Sequence, residues 1–351
     1  MIPSKASMSG RGQDHPIDFV LAWMDPNDEN WRREKAKYWA LETHNPSYDA
    51  NAVARFRDWD NLRYWFRGVE KFAPWVRQIH FCTWDSVPAW LNLAHPMLRV
   101  VRDRELIPPE CAPAFSPNPM EINLHRIPGL SDHFVYFNDD MFLLSAVLKD
   151  DFFVGGLPRE MAVPYLLVNP PYSEPFAHML FAISGVINGR FSLRAAMRKH
   201  PGKWFSPRYG RHLLTTLKML PQRDVSALLI PHLPSSMCKS TYEEVWAAIP
   251  DRLAETTAHR FRNPMDLTQY IFRYWAIMKG DFHPTNVYRY GREFFATDSS
   301  LDELCGVIQG QQCKLLLIND SKDIRDFARC RDRVNASFEK ILPVRSGFEL
   351  Y

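Results

Sequence analysis

Glycine is scarce in this chain, cysteine follows no pattern, and apolar runs stay short. The 351 residues include 15 glycines against 27 prolines, so turns are to be fixed by proline more often than loosened by glycine. The six cysteines, Cys82, Cys111, Cys238, Cys305, Cys313 and Cys330, form no C-x-x-C pair. That removes the usual zinc and redox-pair signatures, and reduced core thiols in a cytoplasmic protein are the expectation. No stretch of about 18 uncharged apolar residues occurs, so no membrane-spanning helix is expected. The opening MIPSKASMSGRGQDHP is polar and lacks the apolar core of a secretory signal. Residues 1–15 read as a flexible tail, and any membrane contact is expected to be peripheral, at the inner face. There is no phosphate-cradling P-loop, no G-x-G-x-x-G and no G-x-S-x-G elbow. The net charge of only +3 calls for no polyelectrolyte partner, and no nucleic-acid motif is present. One local absence is sharper: from Pro175 to Arg223 there is no acid at all.

What is present is a globular composition, 46% hydrophobic and 13% aromatic. Apolar runs of strand length occur at Ile17–Trp23, Gln78–Trp84, Met97–Val101, His133–Phe137 and Lys314–Ile318. They alternate with helical spacings such as Leu62, Phe66, Val69 and Phe72. This alternation predicts an α/β fold with a mostly parallel, Rossmann-like sheet. Residues 16–351 are expected to form one catalytic domain, with a basic and aromatic helical insertion over about 151–224. Asp25, Asp85, Asp103, Asp139, Asp140 and Asp320 all follow predicted strands. In parallel sheets ligands bind beyond the carboxyl ends of the strands. The adjacent pair Asp139-Asp140 is the centre of interest. Two acids side by side are costly unless a cation or a proton separates their charges. A hard divalent ion bridging to phosphate is one solution; a turn with two solvated acids is the other.

Further candidates surround that pair. Ser116 or Asn118 is placed to cap a short helix after Phe115, on which Glu121 and His125 would share a face. A helix from about Arg55 to Phe72 carries Arg55, Arg57, Arg63 and Arg67, which read either as phosphate contacts at its N-terminus or as solvated surface arginines, and Arg57, next to Asp58 at the helix start, is the favoured phosphate contact. Ser240 with Glu243 reads as a capping box. In TTAHRFRN, His259 lies among Arg260 and Arg262, which are useful near an anion. The acid-free window holds Arg190, Arg194, Arg198, Lys199, Lys203, Arg208 and Arg211 among Phe191, Trp204, Phe205 and Tyr209. It reads as a site for an anionic polymer, a lipid head group or a membrane surface, or as a solvated basic face.

Four blocks resemble the Stealth family of sugar-phosphate transferases. They are IDFVLAWMDPNDENW; RFRDWDNLRYWFRGVEKFAPW through EINLHRIPGLSDHFVYFNDDMF; HPGKWFSPRYG, PHLPSSMCKSTYEEVW and TTAHRFRNPMDLTQYIFRYW; and LLLINDS with FEKILPVRSGFE. Together they span nearly all of residues 17–350. Two departures bear on specificity: Pro26 replaces the family glycine after the first aspartate, and FSPNP replaces F-N-S-H. The resemblance implies a nucleotide-sugar-transferase-like sheet and transfer of a hexose-1-phosphate from a nucleotide-diphospho-sugar to a hydroxyl. A nucleoside monophosphate would leave, and Mg²⁺ or Mn²⁺ would assist. It implies Asp139 and Asp140 as metal ligands and His259 as proton acceptor. Arg57, Lys239, Arg260 and Arg262 are the implied phosphate contacts. Asp25, Glu121, His125, His232 and Asp320 are expected to line or support the pocket. The acceptor is expected to be an anionic glycan or glycolipid, with the basic window as its place. The rival readings are a glycosyltransferase releasing the diphosphate, and a non-catalytic glycan- or membrane-binding module.

Overall fold

The computed structural model describes residues 15–42, 57–168 and 175–351. The expected tail up to residue 14, the loop at 44–50 and Arg55 lie outside the described residues. β1 (Ile17–Ala22), β2 (Ile79–Thr83), β3 (Leu98–Arg102) and β4 (His133–Asn138) run parallel in the spatial order β3-β2-β1-β4. The chain therefore builds outward from β1 on one side and returns to its other side with β4. That reversal leaves a crevice beyond the carboxyl ends of β1 and β4, where Ala22 is in register with Asn138.

After β4 the chain changes sheets. β5 (Met141–Leu143) leaves the first sheet and pairs in a second. The small strands β6 (Phe153–Val154), β7 (Leu157–Glu160), β8 (Pro164–Tyr165) and β9 (Ala227–Leu228) follow. β10 (Ser235–Cys238) closes the first sheet antiparallel to β4, and β11 (His283–Pro284) adds to β7. β12 (Gly291–Phe295) and β13 (Leu315–Asn319) are parallel to each other, and β13 is antiparallel to β5. The expected mostly parallel α/β sheet is thus present, with one antiparallel edge.

Two apolar clusters lie on the two faces of the first sheet. Phe19 and Leu21 of β1 and Val135 and Phe137 of β4 face one cluster, with α2 (Leu62–Phe72), α11 (Leu301–Gln309), α12 (Phe327–Ile341) and the second sheet. Val20, Phe134 and Tyr136 face the other, under α4 (Pro175–Asn188), α8 (Lys239–Ala248) and α10 (Tyr270–Lys279). Residues 134–137 of β4 are completely buried. Each such side chain contributes roughly 1.5–3 kcal/mol from apolar burial. The remaining helices are α1 (Glu29–Leu41), α3 (Pro117–Glu121), α5 (Leu193–Lys199), α6 (Pro201–Trp204), α7 (Leu213–Lys218) and α9 (Pro250–Ala258). From the stretch 151–224, Ile183, Ile187, Leu193, Trp204 and Tyr209 are part of the second cluster.

Several local expectations change. α2 begins at Leu62 with Asn61 as cap, so Arg57 lies on the approach to the helix and not at its N-terminus. Arg67 is no surface arginine but is buried against the carboxyl-terminal segment. α3 is capped by Ser116, which accepts from Asn118 N. It ends at Glu121, and Leu124–Arg126 is a separate 3-10 turn, so Glu121 and His125 share no helical face. α8 starts at Lys239 straight off β10, and the Ser240 amide is capped by Asp132 Oδ1 at 2.8 Å, not by a box with Glu243.

Candidate active site at the junction of two sheets

Asp139 and Asp140 form the two-residue turn between β4 and β5. The turn is pinned from the second sheet, since Ile318 N donates to the Asp140 carbonyl at 2.9 Å. Both residues line a cleft of about 1110 Å³. Asp139 is open to the cleft yet crowded by protein, and desolvation raises its carboxyl to about 6. Asp140 is pushed well above the usual carboxylate range, first by desolvation and then by the charge of Asp139. Its Oδ1 is buried with no hydrogen-bond partner among the described residues. A buried carboxylate oxygen without a donor is expensive. A hard cation is the ligand that oxygen donors of this kind suit.

The charge balance of the cleft points the same way. Among the described residues lining it are eight carboxylates and four cationic side chains, Lys35, Arg57, Arg262 and Lys322. A diphosphate cannot enter such an acidic cleft without added positive charge. Asp103, expected on the rim, lines the cleft and is raised to about 7, chiefly by desolvation. Asp320 lines it too and forms an ion pair with Arg57 at 3.0 Å, while Arg57 Nη2 donates to Ser321 O at 2.8 Å. Glu121 is buried at the wall, raised by desolvation, and accepts from Tyr136 Oη at 3.1 Å. His232 lies against Asn138, with Nε2 3.1 Å from the amide nitrogen. Burial, then Arg273 and Arg262, lower it to about 4, so it is neutral at pH 7. Arg262 lines the same cleft.

Other expected residues stand elsewhere. Lys239 is at the opposite end of the sheet. β10 runs antiparallel, so its last residue, Cys238, pairs with His133 at the start of β4. His125 packs beside Tyr242 and Trp246, with ring centroids 5.8 Å away in each case, and burial lowers it to about 4. Asp25 closes a turn by accepting from Asn27 N. Asp85 pairs with Arg102 at 2.9 Å and Arg104 at 3.2 Å. Arg260 donates to Glu110 O, lies 4.7 Å from the centre of the Tyr38 ring and pairs with Glu42. The basic window 190–211 contributes no residue to the cleft lining.

His259 caps the end of α9 and does not line the cleft. Its Nδ1 lies 2.6 Å from Oδ1 of the buried Asp266. This hydrogen bond raises the imidazole above its ordinary value, against its partial desolvation. The other Asp266 oxygen accepts from Asn118 Nδ2 at 2.7 Å, and Asn118 does line the cleft. The relay through Asp266 was not visible in the spacing, nor were the aromatic walls Trp23, Trp31, Trp59, Trp84 and Phe115. Lys35, lowered to about 8 by burial, was also missed. Its only signal was its place on a helix following a strand end.

Asp132, His133 and Cys238 bring ligating atoms within 4.8 Å of one another, but at the start of β4, away from the acid pair. The pattern described as Stealth protein CR2, conserved region 2, matches residues 55–159. The capsular polysaccharide phosphotransferase WcwK of Streptococcus pneumoniae is 35% identical over 339 residues, covering 95% of this chain and 99% of that one. The receptor polysaccharide phosphotransferase WefC of Streptococcus gordonii is 35% identical over 337 residues, covering 95% and 99%. The exopolysaccharide phosphotransferase cps2G of Lactiplantibacillus plantarum is 34% identical over 335 residues, covering 95% and 96%. Mouse xyloside xylosyltransferase 1 in its apo form aligns over 86% of this chain and 97% of its own, at 12% identity and a TM-score of 0.37, too slight a likeness to transfer any feature. Full-length identity to these relatives means that the chain belongs to the Stealth family and is a phosphotransferase enzyme.

Proposed function

We propose that this enzyme transfers a hexose-1-phosphate from a nucleotide-diphospho-sugar to a hydroxyl of a glycan or glycolipid, in capsular or exopolysaccharide biosynthesis. The names of the relatives support the polysaccharide setting. The observation that carries the chemistry is the Asp139-Asp140 turn at the switch point, with a buried carboxylate oxygen that has no donor among the described residues. Asp139 and Asp140 would hold Mg²⁺ or Mn²⁺. When bound, the ion supplies charge neutralisation on the diphosphate.

The protein's own groups do the rest. The acceptor oxygen bonds to the phosphorus that bears the sugar, the bond from that phosphorus to the bridging oxygen breaks, and the nucleoside monophosphate departs. Arg262 meets phosphate charge at the cleft wall, and Arg57 is held rigid there by Asp320. Trp23, Trp31, Trp59 and Trp84 provide flat apolar walls against which a base or sugar ring can pack. His259 does not line the cleft but is joined to it through Asp266 and the lining residue Asn118. With its Nδ1 proton donated to Asp266 its Nε2 stays basic, and it would take the proton of an acceptor hydroxyl that approaches from its side of Arg262. Lys239 has no part in this assignment.

The leaving group decides between this and the rival enzyme reading. Purified protein is incubated with a panel of nucleotide-sugars, an oligosaccharide acceptor and Mg²⁺ or Mn²⁺. Release of the nucleoside monophosphate, abolished by EDTA, is the expected result. Release of the diphosphate alone would sink the proposal in favour of ordinary glycosyl transfer. No turnover with any donor, in protein that still binds the acceptor, would favour a binding module.

A further inference from the structure

None of the cationic residues of the acid-free window lines the cleft, yet one part of the window ends at the cleft mouth. α7 presents Leu214 and Leu217 to solvent at 64% and 45% exposure, and Leu220 follows at 46%. Within the helix the spacing of three sets Leu214 and Leu217 on one side, and Leu220 lies in the turn that follows. α7 packs against β8, and just beyond β8 Leu166 and Val168 are exposed at 61% and 81%. Five large aliphatic side chains thus stand in water around one short helix. Arg208 and Arg211 precede it, Lys218 sits on it and Arg223 follows, all exposed. Residues 175–223 carry nine cations and no acid in a chain of net +3.

We infer that α7, with the residues after β8, is a docking surface for an anionic lipid bilayer. Apolar side chains ringed by Arg and Lys match an interface of acyl chains beneath anionic head groups. A second copy of this chain fits poorly, because the same cationic segment would then face itself. The position gives the surface a use. His212, immediately before α7, stacks with Tyr288 at 6.0 Å between ring centroids, and Tyr288 lines the cleft. A bilayer under α7 therefore lies beside the cleft mouth, where the head of a lipid-linked acceptor can enter while its tail stays in the membrane. The docking surface stands by itself; only this use rests on the proposed transfer reaction.

The test is flotation of the full chain with vesicles of phosphatidylcholine alone or mixed with phosphatidylglycerol. Wild type is expected to float with the mixed vesicles, weakly with the neutral ones, and less as salt rises. The combined variant Leu214→Ser, Leu217→Ser, Leu220→Ser and the variant Arg208→Glu, Arg211→Glu, Lys218→Glu should each lose at least about tenfold in partition. Circular dichroism and transfer to a soluble acceptor should stay at wild-type levels in both. No flotation of wild type, equal flotation with both vesicle types, or wild-type binding by either folded variant would overturn the inference. So would a change from dimer to monomer in the leucine variant with vesicle binding intact, which would make this face a contact between copies. Failure to release a monophosphate alongside normal flotation would count against the transfer reading alone.

Discussion

At the scale of single residues, Asp140 bears the clearest signature of a binding role, because its charge is unfavourable to the fold as it stands. Desolvation and Asp139 both oppose its ionisation. Asp140→Asn is therefore expected to stabilise the fold in metal-free buffer by on the order of 1 kcal/mol, read as a higher melting temperature. Phosphotransfer should fall by about two to three orders of magnitude. Mg²⁺ or Mn²⁺ should stabilise wild type in a thermal shift assay and leave the variant unmoved. A variant that melts earlier and still responds to metal would remove Asp140 from the ligand set. The pair was legible in the sequence because two adjacent acids ended an apolar strand. Lys239 misled for a physical reason: the short SSMC strand before it runs antiparallel, and no local pattern encodes that direction.

His259 makes a prediction of a different kind. Its imidazole is raised chiefly by the hydrogen bond to Asp266, and a proton acceptor must be neutral to act. Activity should thus rise with pH through a pKa above the ordinary histidine value. Asp266→Asn removes the raising influence, so the acid limb of kcat against pH should move to lower pH while kcat on the plateau drops. His259→Gln should abolish that limb. An unchanged acid limb in both variants would assign the proton to another group, and Asp103, raised to about 7 in the cleft, is the nearest alternative by value.

At the scale of elements, α2 illustrates how a residue read from sequence can have the opposite role. Arg67 was grouped with possible phosphate contacts. In the fold it is 6% exposed, grips Glu349 with two bonds of 2.8 and 2.9 Å, and donates to Glu339 and to Leu342 O. It ties α2 to α12 and to the carboxyl-terminal segment. Removing one partner of such a buried pair leaves a charge without compensation, so Arg67→Ala should cost about 3–5 kcal/mol in urea unfolding at pH 7. Desolvation pushes Glu349 up, but Arg67 and Ser346 more than reverse it, and its carboxyl is lowered. A lowered folded pKa gives stability that is present above the ordinary carboxylate value and lost as pH falls through the lowered one. The gap between wild type and Arg67→Ala should accordingly narrow below about pH 4. A constant gap across that range would mean that packing, not charge, carries the effect. The core strands β1, β2 and β4 were legible because each is a mainly apolar run of strand length. The linkage across some 280 residues was not, since ion pairs leave no periodic trace.

At the scale of the whole molecule, the site exists because two sheets meet. β4 hands the chain to β5 through the acid pair, and β13 of the second sheet brings Asn319 and Asp320 to the same cleft. The alternation of strands and helices made the first sheet predictable, but nothing local distinguished β5 and β13 from further strands of that sheet. The same geometry bears on domain organisation. Residues 151–224 lend Met161, Ile183, Leu193 and Trp204 to the cluster that also contains Phe134 and Tyr136 of β4. The opposite face of β4 belongs to the cluster with α11 and α12. A single strand thus has its two faces in the two cores, and loss of either core strips it of half its burial. Residues 16–351 should therefore unfold as one unit, with far-ultraviolet and near-ultraviolet circular dichroism tracing one coincident urea transition. Excision of residues 151–224 should leave no folded remainder, because Phe134 and Tyr136 would face water. Two separated transitions, or a folded core after excision, would show that the second cluster is an independent domain. The cleft would then be open to control by the motion of one domain against the other.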